Sequence, residues 1–131
     1  NEKVLAFAKS KLNKKVGDGE CWTLAAQALK SVGAKWDGLY NFGKEVDYKT
    51  ECIFPGDIIQ FEDIYLKYEK DGGKWEEDMS HHTAIVYEVQ GTGVFTLIHQ
   101  NNWLTGRKVG TTDFDVKHIT KGTFKIFRPV E

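Results

Sequence analysis

Little in this sequence points to a stapled, metal-bound or membrane-embedded protein. Cysteine occurs twice, at Cys21 and Cys52. That count permits one disulfide and requires none. At 131 residues the chain can bury a core without covalent or metal staples. No His-x-x-x-His or Cys-x-x-Cys spacing is present, so neither a metal nor another cofactor is expected. Apolar runs are short; Ala84–Tyr87 is typical and falls far below the length that crosses a bilayer. No signal-peptide pattern is visible, and the chain opens on Asn1 rather than Met, as an excised or processed piece would. Charge of one sign is also missing: 18 Lys and Arg face 19 Asp and Glu, a formal net charge of -1. That balance argues against a polyanion-binding module, so nucleic acid is not an expected partner. The densest basic run (Lys9, Lys11, Lys14, Lys15) reads as a solvated helix face. With no internal repeat and no low-complexity tract, residues 1–131 read as one domain.

What is present is a change of period along the chain. Val4, Leu5, Ala8 and Leu12 recur at helical spacing, which predicts a helix over residues 3–13. Gly17-Asp18-Gly19 breaks it. Cys21, Leu24, Ala25, Ala28, Leu29 and Val32 then form the strongest amphipathic stripe, with Gly33 as its stop. Residues 34–54 read as an aromatic-rich loop. From Pro55-Gly56 onward the pattern turns to strands, predicted at Asp57–Phe61, His82–Val89, Val94–Gln100 and Phe124–Arg128. Glu62–Ser80 reads as a polar insertion, an exposed loop or lid edge, and Gln90–Gly93 as a hairpin turn. Helices followed by antiparallel strands define an α+β class.

Chemistry enters at Cys21. A thiol in the first turn of a helix meets unpaired N–H groups and the positive end of the helix dipole. Both favour thiolate, and the same N–H groups suit an oxyanion. The alternative is that Cys21 is simply the first core residue of its stripe, or is consumed in a disulfide with Cys52. Across the hairpin, pairing Val89 with Val94 sets His82 opposite Asn101 and Ala84 opposite His99. His82, His99 and Asn101 then share one face. A thiol, a base and a group that orients the base are what a Cys-His hydrolase needs. His81 is expected on the opposite face, structural or exposed. His118 falls in a late polar loop and has no assigned role. Trp22, Trp36, Tyr40 and Trp103 are expected in the core or along a cleft wall.

Four segments in order carry a resemblance: Gly19-Glu20-Cys21-Trp22, Pro55-Gly56-Asp57-Ile58-Ile59-Gln60-Phe61, His82-Thr83-Ala84-Ile85-Val86 and His99-Gln100-Asn101. The chain resembles the papain-like NlpC/P60 and CHAP families from about Leu5 to Pro129. The resemblance implies a papain-like fold with N-terminal helices packed on an antiparallel β-sheet. It implies a site of Cys21, His82 and His99, with Asn101 as a further polar partner and with Glu20, Trp22 and Trp103 around the oxyanion and cleft. It departs at Glu20, where CHAP-type enzymes have Gln; a carboxylate there disfavours a thiolate at Cys21. With Ser80-His81-His82 and the closing Phe127-Arg128-Pro129, the chain also resembles the C-terminal cysteine-proteinase-fold domain of fungal SH3-containing cortical actin patch proteins. That likeness implies a cytoplasmic, actin-patch setting tied to endocytosis, with actin-assembly proteins as partners through the parent protein. The expected activity is amide, peptide or isopeptide hydrolysis on a peptide or protein substrate. The alternatives are a non-catalytic peptide- or protein-binding module on the same fold, and a bacterial cell-wall peptide hydrolase, secreted or in the wall.

Overall fold

The computed structural model describes residues 1–70, 72–101 and 106–130. Two helices come first, α1 over Glu2–Ser10 and α2 over Cys21–Ser31. The strands follow: β1 (Lys44–Val46), β2 (Ile58–Lys70), β3 (Gly73–Gly91), β4 (Val94–His99), β5 (Gly110–Asp115) and β6 (Ile119–Arg128). A short 3-10 turn, Val116–His118, separates the last two. The strands form one sheet in the order β1-β6-β2-β3-β4-β5, antiparallel throughout. This is the α+β arrangement expected from the order of periods in the chain.

Helix α2 follows its stripe. Cys21, Leu24, Ala25, Ala28 and Leu29 are buried, and each buried leucine contributes about 1.5–3 kcal/mol. Gly33, at φ 69, ends it. Its N–H donates to the Lys30 carbonyl and that of Ala34 to the Leu29 carbonyl, a Schellman closure. Helix α1 stops three residues short of expectation. Asn13 takes φ 65 and donates its N–H to the Val109 carbonyl at 2.8 Å. Leu12 still packs on the core, but from a bridge to Val109 rather than from a helix. Of the basic run, only Lys9 lies on the helix.

The sheet has two buried faces. Ile58, Ile85, Ile98 and Phe127 meet the helices. Ile59, Phe61, Ala84, Val86, Phe95, Leu97 and Phe114 pack on the other side. The expected polar loop at Glu62–Ser80 is instead a β-arm, paired from Ile64↔Met79 out to Lys70↔Gly73. Only one of its faces is covered, so charged residues fill the outward positions and mask the alternation of Ile64, Leu66 and Tyr68. A bulge at Asp63 (φ 52) switches the inward positions from odd (Ile59, Phe61) to even (Ile64, Leu66). Gly122 lets β6 pass there: a Cβ would sit 2.3 Å from the Asp63 carbonyl oxygen.

Strands β1 and β5 were not expected; the first lies within the segment that reads as an aromatic loop. The β3–β4 register is also corrected near its turn, where Val89 faces Phe95 and Gly91 faces Val94. Two one-residue shifts then bring Ile85 opposite Ile98. The two shifts together amount to two residues, which restores parity beyond them, so the deduced pairing holds at Ile85 and Val86 although it fails from Glu88 to the turn. The start of β2 is tied to the end of β6 by Asp57, which is fully buried. Its carboxylate accepts from Arg128 Nη2 at 3.0 Å and Nε at 3.2 Å, from the Phe54 N–H at 2.9 Å and from Asn1 Nδ2 at 2.6 Å. Among the described residues no helix is long and apolar enough to cross a membrane.

Candidate functional site

The loop that delivers Cys21 is clamped by Gln100, which is fully buried. Gln100 Oε1 accepts from the Val16 N–H at 3.0 Å, while Nε2 donates to the Val16 and Glu20 carbonyls at 2.9 and 2.8 Å. Asp18 closes the turn. Its Oδ1 accepts from the Thr23 hydroxyl and the Glu20 N–H, bonds that hold its carboxyl below the usual range. Helix α2 therefore begins at Cys21, although Glu20, its N-cap residue, makes no side-chain cap bond.

The thiol lies against the main chain of β3 on either side of His82. Sγ is 4.0 Å from the His81 carbonyl oxygen, and the Thr83 N–H is directed to it. Cys21 is only 8% exposed, and both it and Cys52 are free thiols, so no disulfide consumes it. Burial pushes the Cys21 pKa up, and the Glu20 carboxylate adds to this. The N–H groups of Thr83, Trp22 and Cys21 pull the other way, as the helix-start reasoning expects, but they do not prevail. The expected shift toward thiolate is thus corrected: desolvation outweighs the amides, and the resting group is a thiol.

His82 is paired with Phe61 in register and stacks over its ring at 6.1 Å. Its Nε2 meets His99 Nδ1 at 2.6 Å, which leaves Nδ1 for a second partner. Burial lowers its pKa to about 4, so the ring is neutral at pH 7. His99 is also buried, with its pKa driven well down by burial and by the neighbouring His82. Its Nε2 meets Thr112 Oγ1 at 2.8 Å. Since His99 pairs with Gly110, Thr112 stands two positions along β5, on the diagonal of the same face. A row of polar groups therefore crosses β3, β4 and β5. Sequence reasoning missed Thr112; the alternation of Thr112 and Phe114 carries the signal, but only once β5 is known.

Asn101 does not join that row. It takes φ 60, and its Nδ2 donates to Glu20 Oε2 at 2.8 Å. Arg107 Nη1 donates to Glu20 Oε1 at 3.0 Å and to the Asp18 carbonyl at 3.1 Å. Glu20, the departure from the CHAP pattern, thus accepts a hydrogen bond at each of its side-chain oxygens. Trp22 packs on Trp36, with ring centroids 5.8 Å apart, and donates to the Leu39 carbonyl. Trp103 lies outside the described residues. His81 is exposed, as expected, bonded to Glu62 at 2.8 Å and set edge-on to Tyr40. His118 sits in the 3-10 turn and stacks on Tyr68. A hollow of about 450 Å³ opens onto His82, His99, Asn101 and Thr112. The inner side of the arm, with Leu66 and Met79, lines it opposite Leu97 and Phe114. Among the described residues no group of three or more potential metal ligands comes together.

A family model described as the AIM3/BBC1 cysteine proteinase-fold domain matches residues 1–131. The chain belongs to the AIM3/BBC1 cysteine proteinase-fold family. One AIM3/BBC1-type relative is Altered inheritance of mitochondria protein 3 of Debaryomyces hansenii, 28% identical over 147 residues. The alignment covers 98% of this chain and 16% of that protein, so the chain spans a small part of its length. Among solved structures, the crystal structure of Ly7917 superposes with a TM-score of 0.56 at 16% identity, covering 96% of this chain and 61% of that one. Ly7917 with the hydrolyzing product of MDP gives 0.59 at 15%, covering 98% and 62%. At such identities the likeness concerns the fold alone. The AIM3/BBC1 domain is a papain-like α+β fold, with its N-terminal helices on an antiparallel sheet.

Proposed function

We propose that residues 1–131 form one domain that hydrolyses amide, peptide or isopeptide bonds through Cys21, with His82 as base and His99 orienting it. The observation that carries this reading is the 2.6 Å contact of His82 Nε2 with His99 Nδ1 on the strand whose backbone holds the thiol. With Nε2 engaged, Nδ1 is the nitrogen that serves Cys21. The resting pair is neutral: a thiol whose ionisation is disfavoured and an imidazole that stays unprotonated at pH 7. Proton transfer to His82 then accompanies attack of sulfur on the substrate carbonyl. The acyl group forms a thioester, the amine leaves with the proton from His82, and water, deprotonated by the same ring, releases the acid. The N–H groups at the start of α2 face the developing oxyanion. Glu20 contributes no donor as a carboxylate, so its departure from glutamine places that task on the backbone.

A second reading has one observation in its favour. Burial and Glu20 both disfavour the thiolate, which suits a module that binds a peptide or protein without cutting it. The resemblance to fungal cortical actin patch proteins favours a cytoplasmic actin-patch setting, with actin-assembly proteins reached through a longer protein, and the AIM3-type relative is likewise fungal. Ly7917 has been crystallised with the hydrolyzing product of MDP, which supports hydrolysis as one use of this fold and leaves a cell-wall substrate as the rival setting.

Acylation by p-nitrophenyl acetate separates enzyme from module. In a Cys52→Ser background, mass spectrometry should find the acetyl group on Cys21. His82→Ala should slow its arrival about 10²–10⁴-fold, the usual contribution of a positioned base. An acylation rate indifferent to His82 would establish the binding module instead.

A further inference from the structure

We propose that Thr112 is a positioning residue that accepts a hydrogen bond from His99 and so fixes both buried histidines with their protons on Nε2. The idea rests on the reading of His82 as base and adds what keeps that base bare. The row His82 Nε2···Nδ1 His99 Nε2···Oγ1 Thr112 has two links, of 2.6 and 2.8 Å. Each neutral imidazole carries one N–H and one acceptor nitrogen. If His82 is protonated at Nε2 and His99 at Nδ1, two protons crowd one link. If His82 is protonated at Nδ1 and His99 at Nε2, the same link has none. Both rings are buried, so either mismatch leaves an unsatisfied polar group at low dielectric. The two tautomers are therefore locked together, and two states remain.

In one state both protons sit on Nε2: His82 donates to His99, His99 donates to Thr112, and His82 Nδ1 offers its lone pair. In the other both sit on Nδ1, Thr112 donates, and His82 turns an N–H outward where it cannot take a proton. Thr112 decides between them because it is the last group in the row. Thr112 lines the hollow beside the site, where its own proton can turn to solvent while its oxygen accepts from His99. The Nε2–H form is also the intrinsically preferred tautomer of neutral histidine, so the two preferences agree. Valine at 112 would keep a β-branched shape on β5 and remove the acceptor.

Nitrogen-15 NMR of the imidazoles in the intact chain at pH 7 tests this directly. Both His82 and His99 should show the Nε2–H pattern. Thr112→Val should drive His82 and His99 together to a mixed or Nδ1–H pattern and slow Cys21 acetylation about tenfold or more, within the range a general base supplies. Thr112→Ser should restore the wild-type spectrum and bring the rate back to within about twofold. A wild-type spectrum with His99 protonated at Nδ1 overturns the proposal, as does a Thr112→Val protein with unchanged spectrum and rate. Should the valine variant not fold, the wild-type and serine spectra still decide. Absence of Cys21 acetylation in the wild type would refute hydrolysis while leaving the tautomer result to stand or fall alone.

Discussion

Two buried polar groupings on the same sheet are built on opposite principles. Asp57 is fully buried and paired with a cation: Arg128 grips it through two nitrogens, and the Phe54 N–H and Asn1 amide complete its shell. His82 and His99 are as deeply buried but have no ionic partner, and burial holds them neutral. The first grouping ties the start of β2 to the end of β6. The second is a line of single hydrogen bonds with one ring nitrogen to spare. A buried charge with its partner fixes geometry, because any movement exposes an uncompensated ion. A buried neutral imidazole retains a lone pair that chemistry can use.

The sharpest way to break this comparison is to remove the charge that holds. Asp57→Ala should cost about 3–5 kcal/mol in urea unfolding, since it strands Arg128 and an N–H. A loss under about 1 kcal/mol would mean the grouping holds nothing. Next comes pH. The His82 value falls from 6.5 unfolded to about 4 folded, so the unfolded chain binds more protons between those values. Stability should therefore fall as pH drops through that window, by about 3 kcal/mol from His82, with His99 acting in the same direction. Stability against pH for the wild type and His82→Gln should diverge below pH 6.5, and parallel curves would sink the claim. The smallest effect belongs to His81, one residue away but exposed and paired with Glu62. His81→Ala should cost no more than about 1 kcal/mol, and that loss should shrink in salt. A larger, salt-insensitive loss would erase the distinction between the two adjacent histidines.

Much of the site was legible because parity is robust. The side-chain period of a strand is two, so the deduced sharing of a face by His82 and His99 survived a turn misplaced by two residues. The α2 stripe was equally plain, since one buried face leaves a strict spacing from Cys21 to Leu29. The arm from Ile64 to Met79 was hidden by its own solvation: the outward half of each strand is charged, and mean polarity there resembles a loop. Thr112 was invisible for a different reason. Its role exists only because β5 lies beside β4, and that pairing is not local. Asn101 parts from the histidine row because its left-handed backbone turns it toward Glu20, which strand periodicity alone cannot foresee.

The order of periods, the thiol at a helix start and the imidazole on a strand were determined by the amino-acid sequence itself, since each is set by spacing within a few residues. The protonation state of that thiol and that imidazole was decided by tertiary structure. Burial depends on what the rest of the chain packs around a group, and here it outweighs every local dipole.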